Sequence, residues 1–378
     1  MPRMQKFILK AFLAITSGLS TQTLAEDGVP FETAKAIGRR VAWTAPLPGG
    51  EVRHAEQLGN QLYVLDEKNF LSSLNLNSGR ITWSVQVTGE ESAPDFIHTF
   101  EMRRGLGLAA KVTPMVLVGL GSELLKFDGT NGAMTKRVSM DRLPDTNPIE
   151  VGNYLVFGTN RGVVQWYNPD LEVPWRAFDC GDAMACDVSA SGGLLVAAAR
   201  DGGVLCMQSG NGGLVWRKKL LGPATGPPAI TGNVENGDAK VHVASADGYI
   251  RCYNHFDSPV AWERLLEGIP AGGPVVAEED CYVAVPGKGL HAFVAAPRDE
   301  PGGVLSWISA KADGQIIAHD GRTLLLHDAE DGVLRVVRRK DGRMTAEVPA
   351  GADRFLQTTG PLVAFVGKSG VVGLSKRN

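Results

Sequence analysis

The stretch Gly59–Trp83, "GNQLYVLDEKNFLSSLNLNSGRITW", holds two short apolar runs with a polar turn between them. A second turn at Asn77-Ser78-Gly79 follows, and then a tryptophan. Short runs rich in Leu, Val, Tyr and Phe, bounded by Asn, Asp and Gly, read as strands. Trp83 lies ten residues after Ser73, and the interval keeps returning. Cys206 to Trp216 and Cys252 to Trp262 are ten. Lys126 to Lys136 and Val336 to Ala346 are also ten, with the tryptophan replaced. Trp166 to Trp175 is nine, and Ala292 to Trp307 is fifteen, the excess carrying "APRDEPG" at 296–302.

A longer period encloses that interval. Trp43, Trp83, Trp175, Trp216, Trp262 and Trp307 form a ladder, and the gaps after Trp83 are 92, 41, 46 and 45 residues, the first being two periods. A turn glycine recurs with it, at Gly162, Gly202, Gly248, Gly289, Gly332 and Gly370, between apolar runs. Such pairs as Asp-Gly are strong hairpin signals, and a period near 40 residues reads as one four-stranded unit. Seven full units run from about residue 49 to residue 350. The N-terminal "GRRVAWTAPL" supplies a tryptophan strand without a hairpin, and the C-terminal "PLVAFVGKSGVVGLSKRN" supplies the converse. Joined, they make an eighth blade and leave no open sheet edge. The expected fold is therefore all-β: an eight-bladed β-propeller of four-stranded antiparallel blades, the last shared by the two termini. A tryptophan on each outer strand is expected to fill the wedge between splayed blades. Cys206 and Cys252 are read as small packing residues on the strand opposite.

Residues 1–25 read as a cleavable export signal, leaving 26–378 as one propeller domain. Arg3, Lys6 and Lys10 precede a short apolar run, Ala11 to Leu19, and Thr23-Leu24-Ala25 offers small residues for cleavage. That run is too short to span a bilayer. No cysteine near the site offers a lipid anchor. Removing three basic residues and no acids takes the formal net charge from −3 to −6. A mildly acidic chain without a basic stretch argues against nucleic acid as a partner. The mature chain is expected to be periplasmic or secreted, monomeric, and without a transmembrane segment.

Chemistry-bearing motifs are sparse. The seven histidines are scattered among repeats, and no Gly-x-Ser-x-Gly, phosphate loop, Cys-x-x-Cys or His-Glu-x-x-His occurs. No catalytic residue and no metal ligand is assigned. Among five cysteines, Cys180 and Cys186 alone are close, across a Gly-Asp turn. A local disulfide there is one expectation, and a pair of buried thiols the other.

The unit quoted at the outset resembles the pyrroloquinoline-quinone-like propeller repeat, with Ser73-Leu74-Asn75 and Asn77-Ser78-Gly79 standing at its Ala-Leu-Asp and Thr-Gly positions. The resemblance covers nearly the whole mature chain. It implies either of two branches. Quinoprotein dehydrogenases hold the quinone and calcium on the axis; this chain has no adjacent cysteine pair and no residue matched to their calcium ligands, so no cofactor is assigned. The other branch is non-catalytic and similar to the outer-membrane assembly protein BamB. That branch implies a scaffold for envelope proteins; a quinoprotein oxidoreductase, or a carbohydrate- or peptide-binding module, is the alternative.

Propellers act mainly through connecting loops. Trp83 to Lys136 spans 53 residues, roughly ten more than a period, and the excess lies in "SAPDFIHTFEMRRGLGLAAK". Phe96, His98, Phe100, Arg103 and Arg104 give it the aromatic and arginine composition of interaction hot spots. It is expected to be a partner-binding loop, or else an insertion whose phenylalanines pack on the ring. The insertion at 296–302 is a second candidate.

Overall fold

A computed structural model describes residues 29–104, 111–142, 144–256, 260–295, 302–367 and 370–377. The export signal expected at 1–25 and most of the 296–302 insertion lie outside them. The described chain forms eight four-stranded antiparallel sheets. Seven of them follow the chain, each with its first strand innermost and its fourth outermost. Blade 1, for example, runs through Val52–Leu58, Gln61–Asp66, Phe70–Asn75 and Ile81–Gln86. Blade 8 takes Arg354–Leu356, Leu362–Val366 and Gly370–Lys376 from the C-terminus and Arg39–Ala45 from the N-terminus. The closing pairs, Trp43↔Gly373 among them, form the eighth blade anticipated from sequence.

The ten-residue interval has a direct cause. Ser73 faces Trp83, Cys206 faces Trp216, and Cys252 faces Trp262 across the last hairpin of each blade. A β-bulge follows each pair at the same place, one residue before the tryptophan. Duplicating hairpin length and bulge together duplicates the interval.

Each ladder tryptophan reaches into the next blade. Trp43, Trp83, Trp262 and Trp307 donate their indole N–H to the carbonyls of Leu76, Gly129, Ala295 and Arg339, at 2.9, 2.9, 2.5 and 2.8 Å. Every acceptor is the first residue past the neighbour's third strand. The ring then lies over that neighbour's turn: a Cβ at Gly79, Gly132, Gly303 or Gly342 would sit within 2.7 Å of the incoming indole. Cys206 and Cys252 are wholly buried opposite their tryptophans, as packing residues.

Trp216 packs among Ala239, Val241 and Tyr253 of blade 5 without such a bond, its indole nitrogen unpartnered among the described residues, and three further seams lack the wedge tryptophan altogether. Between blades 2 and 3, Lys136 holds the tryptophan position, and the facing Lys126 reaches across instead. Its Nζ donates to the carbonyl of Pro169, the first residue past the third strand of blade 3, and to Glu172 Oε1 at 2.8 Å. Between blades 3 and 4, Trp166 faces Arg176, not Trp175. The ladder residue is therefore Arg176, whose guanidinium donates to the Asn211 carbonyl of blade 4. Trp175 occupies the bulge. This corrects the sequence ladder, in which Trp175 was the wedge residue. Between blades 7 and 8, Ala346 leaves the wedge unfilled, and a short helix, Phe31–Ala36, enters it. Val29 and Ala34 pack there with Leu334, Val336, Ala350 and Ala364, and Thr33 Oγ1 donates to the Pro349 carbonyl at 3.0 Å.

Cys180 and Cys186 are free thiols, as are the other three cysteines. The expected local disulfide is not formed, for the two side chains join different clusters, Cys180 beside Met184 and Val188 and Cys186 against Trp216 and Leu220. Burial pushes both thiols up to about 12, out of the reactive range. Among the described residues no helix is long and apolar enough to cross a membrane.

Candidate functional site

The insertion in blade 2 is not a loop. It lengthens the first two strands to Phe96–Arg104 and Lys111–Leu120. The last pair with the third strand is Met115↔Asp128. Beyond it, Glu101 to Arg104 pair with Pro114 to Lys111 as a two-stranded ribbon running past the sheet. The ribbon's turn, 105–110, lies outside the described residues. Two-residue turns such as Gly59-Asn60 close the corresponding hairpin in blade 1, so the ribbon is particular to blade 2.

The sequence candidates divide on this strand. Phe96 is buried and lies against Gly119, where a Cβ would come within 2.1 Å of its ring. Phe100 is buried at the seam of blades 2 and 3 with Met115, Leu155, Phe157 and Tyr167. His98 is buried as well, its Nδ1 3.3 Å from Glu56 Oε1, while Glu56 Oε2 accepts the Thr99 N–H at 2.6 Å. These three tie adjacent inner strands together and present nothing to a partner. Ile97 and Thr99 between them are buried too, so neighbouring blades enclose both faces of this strand. Arg103 and Arg104 extend the ribbon, paired with Val112 and Lys111.

The exposed chemistry sits beside the ribbon, on blade 3. Trp175 is 44% exposed, in contrast to the buried Trp43, Trp166, Trp216 and Trp262. It stacks on Tyr154 with centroids 4.5 Å apart and planes at 17°, and the Arg176 guanidinium lies 5.6 Å from its ring centre. Leu171, Val173, Met134 and Val112 are also exposed large apolar residues of blades 2 and 3. Of these, Leu171 shares a cleft with Tyr154, the residue on which Trp175 stacks. Sequence could have found Trp175. Counting four residues from Gly162 reaches Trp166, and ten more reaches Arg176, which leaves Trp175 without a place in the packing.

Two clefts flank this seam. One, of about 570 Å³, lies at the foot of the ribbon between Phe100, Glu101, Asn153, Tyr154 and Leu171. The other, of about 620 Å³, is lined by Met140, Arg142, Gln165, Tyr167, Glu172 and Trp175. The second follows from the missing tryptophan, because lysine leaves part of the outer wedge empty. Glu172 anchors its wall, with Oε1 taking Lys126 and Oε2 taking Lys136 at 2.5 Å. Burial alone would raise the Glu172 carboxyl, but the bonds and charges of the two lysines outweigh it and hold it below its ordinary value. Lys126 itself is buried, so the carboxylate is its counter-charge. The arrangement offers aromatic, aliphatic and charged surface for binding. Among the described residues no three of His, Cys, Asp and Glu are placed to hold a metal ion.

Known proteins place this architecture. Among solved structures, the computationally designed Ika8 protein superposes with a TM-score of 0.66 at 13% identity, covering 89% of this chain and 99% of its own. BamB from Moraxella catarrhalis gives 0.65 at 14% identity, covering 88% and 96%. At such identity the likeness is one of fold. No curated protein matches the chain. The sequence pattern of the family described as "Outer membrane protein assembly factor BamB" matches residues 34–153 and 160–296, more than half of the chain. The chain belongs to the BamB family of pyrroloquinoline-quinone-like propellers.

Proposed function

We propose that this protein is a non-enzymatic, exported scaffold for outer-membrane protein assembly that binds envelope proteins through the face formed by blades 2 and 3. Family membership carries the reading. The face supports it locally, since Trp175 stands exposed at a position the ring's packing does not need. Its location follows from the same reading: residues 1–25 direct export, and the mature chain works in the periplasm as a monomer without a cofactor.

The test is co-purification from solubilised envelopes of cells making the tagged protein. Wild type should recover outer-membrane assembly components. Trp175→Ala combined with Leu171→Asp should lower that recovery at least about tenfold, the loss of one hot-spot cluster. If wild type recovers no envelope protein, and loss of the gene leaves outer-membrane protein levels unchanged, the scaffold reading is wrong. Recovery that is normal in the double variant moves the contact to another face and leaves the scaffold standing.

A further inference from the structure

The seam of blades 7 and 8 is closed by a helix where the other seams have a side chain, and the substitution is imperfect. A cleft of about 380 Å³ remains between the end of that helix and the two blades. The volume lies within the usual range for small-molecule sites, about 300–1,000 Å³. Its floor is apolar, formed by Ile37, Ala318, Leu325 and Val336. Its rim is cationic: Arg39, Lys376 and Arg377 line it, opposed by the one carboxylate of Asp320.

The balance of partners makes this more than a basic surface. Arg39 is half-buried in the cleft wall, and the one hydrogen bond of its side chain among the described residues runs from Nη1 to the Leu374 carbonyl at 3.2 Å. Burial lowers its pKa from the ordinary value, and the charge of Asp320 restores only part. Asp320 is committed elsewhere, with Oδ1 accepting from Arg322 N, Thr323 N and Thr323 Oγ1 in its own turn. No salt bridge among the described residues reaches Arg39, Lys376 or Arg377. A guanidinium is a planar fork with five N–H donors, and most of this one's are unspent beside an apolar floor.

We propose that this cleft binds a small amphipathic anion, a carboxylate on a short apolar body, with the carboxylate on Arg39 and the body over Ile37 and Leu325. The rim sums to about two positive charges, enough to hold one anion. The floor gives an apolar tail a burial that a bare anion cannot use. Since the cleft lies where the N-terminal helix meets the closing blade, such a ligand also braces the ring.

The experiment is calorimetric titration of the purified protein with octanoate, alongside acetate, inorganic phosphate and octanol. Octanoate should bind saturably at one to one and raise the melting temperature with concentration. Acetate, phosphate and octanol should each bind at least about tenfold more weakly, since each lacks half of the recognition. Arg39→Gln should weaken octanoate at least about tenfold, the usual cost of a charged hydrogen bond. Arg377→Gln, whose side chain makes no bond among the described residues, tests the rim without touching the seam and should weaken it about threefold or more. Unsaturable octanoate binding overturns the site. Phosphate binding as tight as octanoate reduces it to a cation cluster, octanol binding as tight reduces it to an apolar patch, and either result also overturns it. So does octanoate affinity unchanged in both variants.

Discussion

The turn glycines and the tryptophans above them are one packing unit. Gly342 has φ +69°, and a Cβ there would lie 2.4 Å from Trp307 Cε3. Gly342→Ala therefore meets both the left-handed backbone penalty and overpacking, and should cost about 2–5 kcal/mol in urea unfolding. Trp307→Ala should cost about 3–5 kcal/mol by emptying the wedge, whereas Trp175→Ala should cost under about 1 kcal/mol. Equal losses for the two tryptophans would contradict the bulge assignment. A second residue-level consequence concerns pH. His242 is wholly buried, its Nδ1 unpaired and its Nε2 3.2 Å from Thr231 Oγ1. Burial, aided by Lys240, lowers its pKa to about 4 from 6.5. The unfolded chain thus binds the extra proton first. Its contribution to stability is whole above about pH 6.5 and is lost as pH falls toward 4, roughly 3 kcal/mol in all. Urea midpoints from pH 7.5 to 4 should fall for wild type and fall distinctly less for His242→Leu; parallel curves would assign the loss to other groups.

At the level of elements, the odd seams show how one wedge is filled by different chemistry. Lys126 replaces an indole N–H with an ammonium and needs Glu172 to be tolerated. Glu172→Gln removes the counter-charge and leaves that buried ammonium with neutral oxygens alone. It should destabilise by about 2–4 kcal/mol, somewhat below a fully buried pair because Glu172 is partly exposed. A loss no larger than that of Lys219, an exposed partner of Asp201, changed to Gln would mean water already screens the pair. The helix Phe31–Ala36 is the other substitute. Its length is too short for independent stability, so it exists because Ala34 and its neighbours are buried at the seam. The ribbon of blade 2 has the opposite character: its pairs, Glu101 to Arg104 with Lys111 to Pro114, run beyond the sheet, and Met102 ties its base to Leu155 and Phe157 in the core.

For the whole molecule, closure is the decisive event. The pairing of Arg39–Ala45 with Gly370–Lys376 joins residues over 300 positions apart and covers the edge that the C-terminal strands alone would leave open. Removing residues 368–378 takes out the third strand of blade 8 and strands the N-terminal one. The truncated chain should elute as aggregate or as an expanded species in size-exclusion chromatography. A circular permutant opened at 286–288, the turn between the second and third strands of blade 6, with a flexible linker from 377 to 29, keeps every strand pair and the helix that fills the seam of blades 7 and 8. It should elute as wild type with the same far-ultraviolet dichroism. If the truncated chain stays compact and monomeric, seven blades suffice and closure is not what holds the ring.

The number of blades, their strand order and the shared eighth blade were legible in the sequence. Hairpin length, turn glycine and bulge are set by neighbours along the chain, and duplication repeats them at a fixed interval. The tertiary structure alone decided which side chain fills each wedge, because that depends on two blades some 40 residues apart and on which face of a strand a residue occupies. So Phe96, His98 and Phe100, which composition marked as a binding loop, went to the core. Cys180 and Cys186, close in sequence, went to different seams. Trp175, counted as a packing residue, went to the surface when the bulge placed Arg176 in the wedge. A period along the chain records how many times a unit was built; only the meeting of two units settles which side chains remain outside to be used.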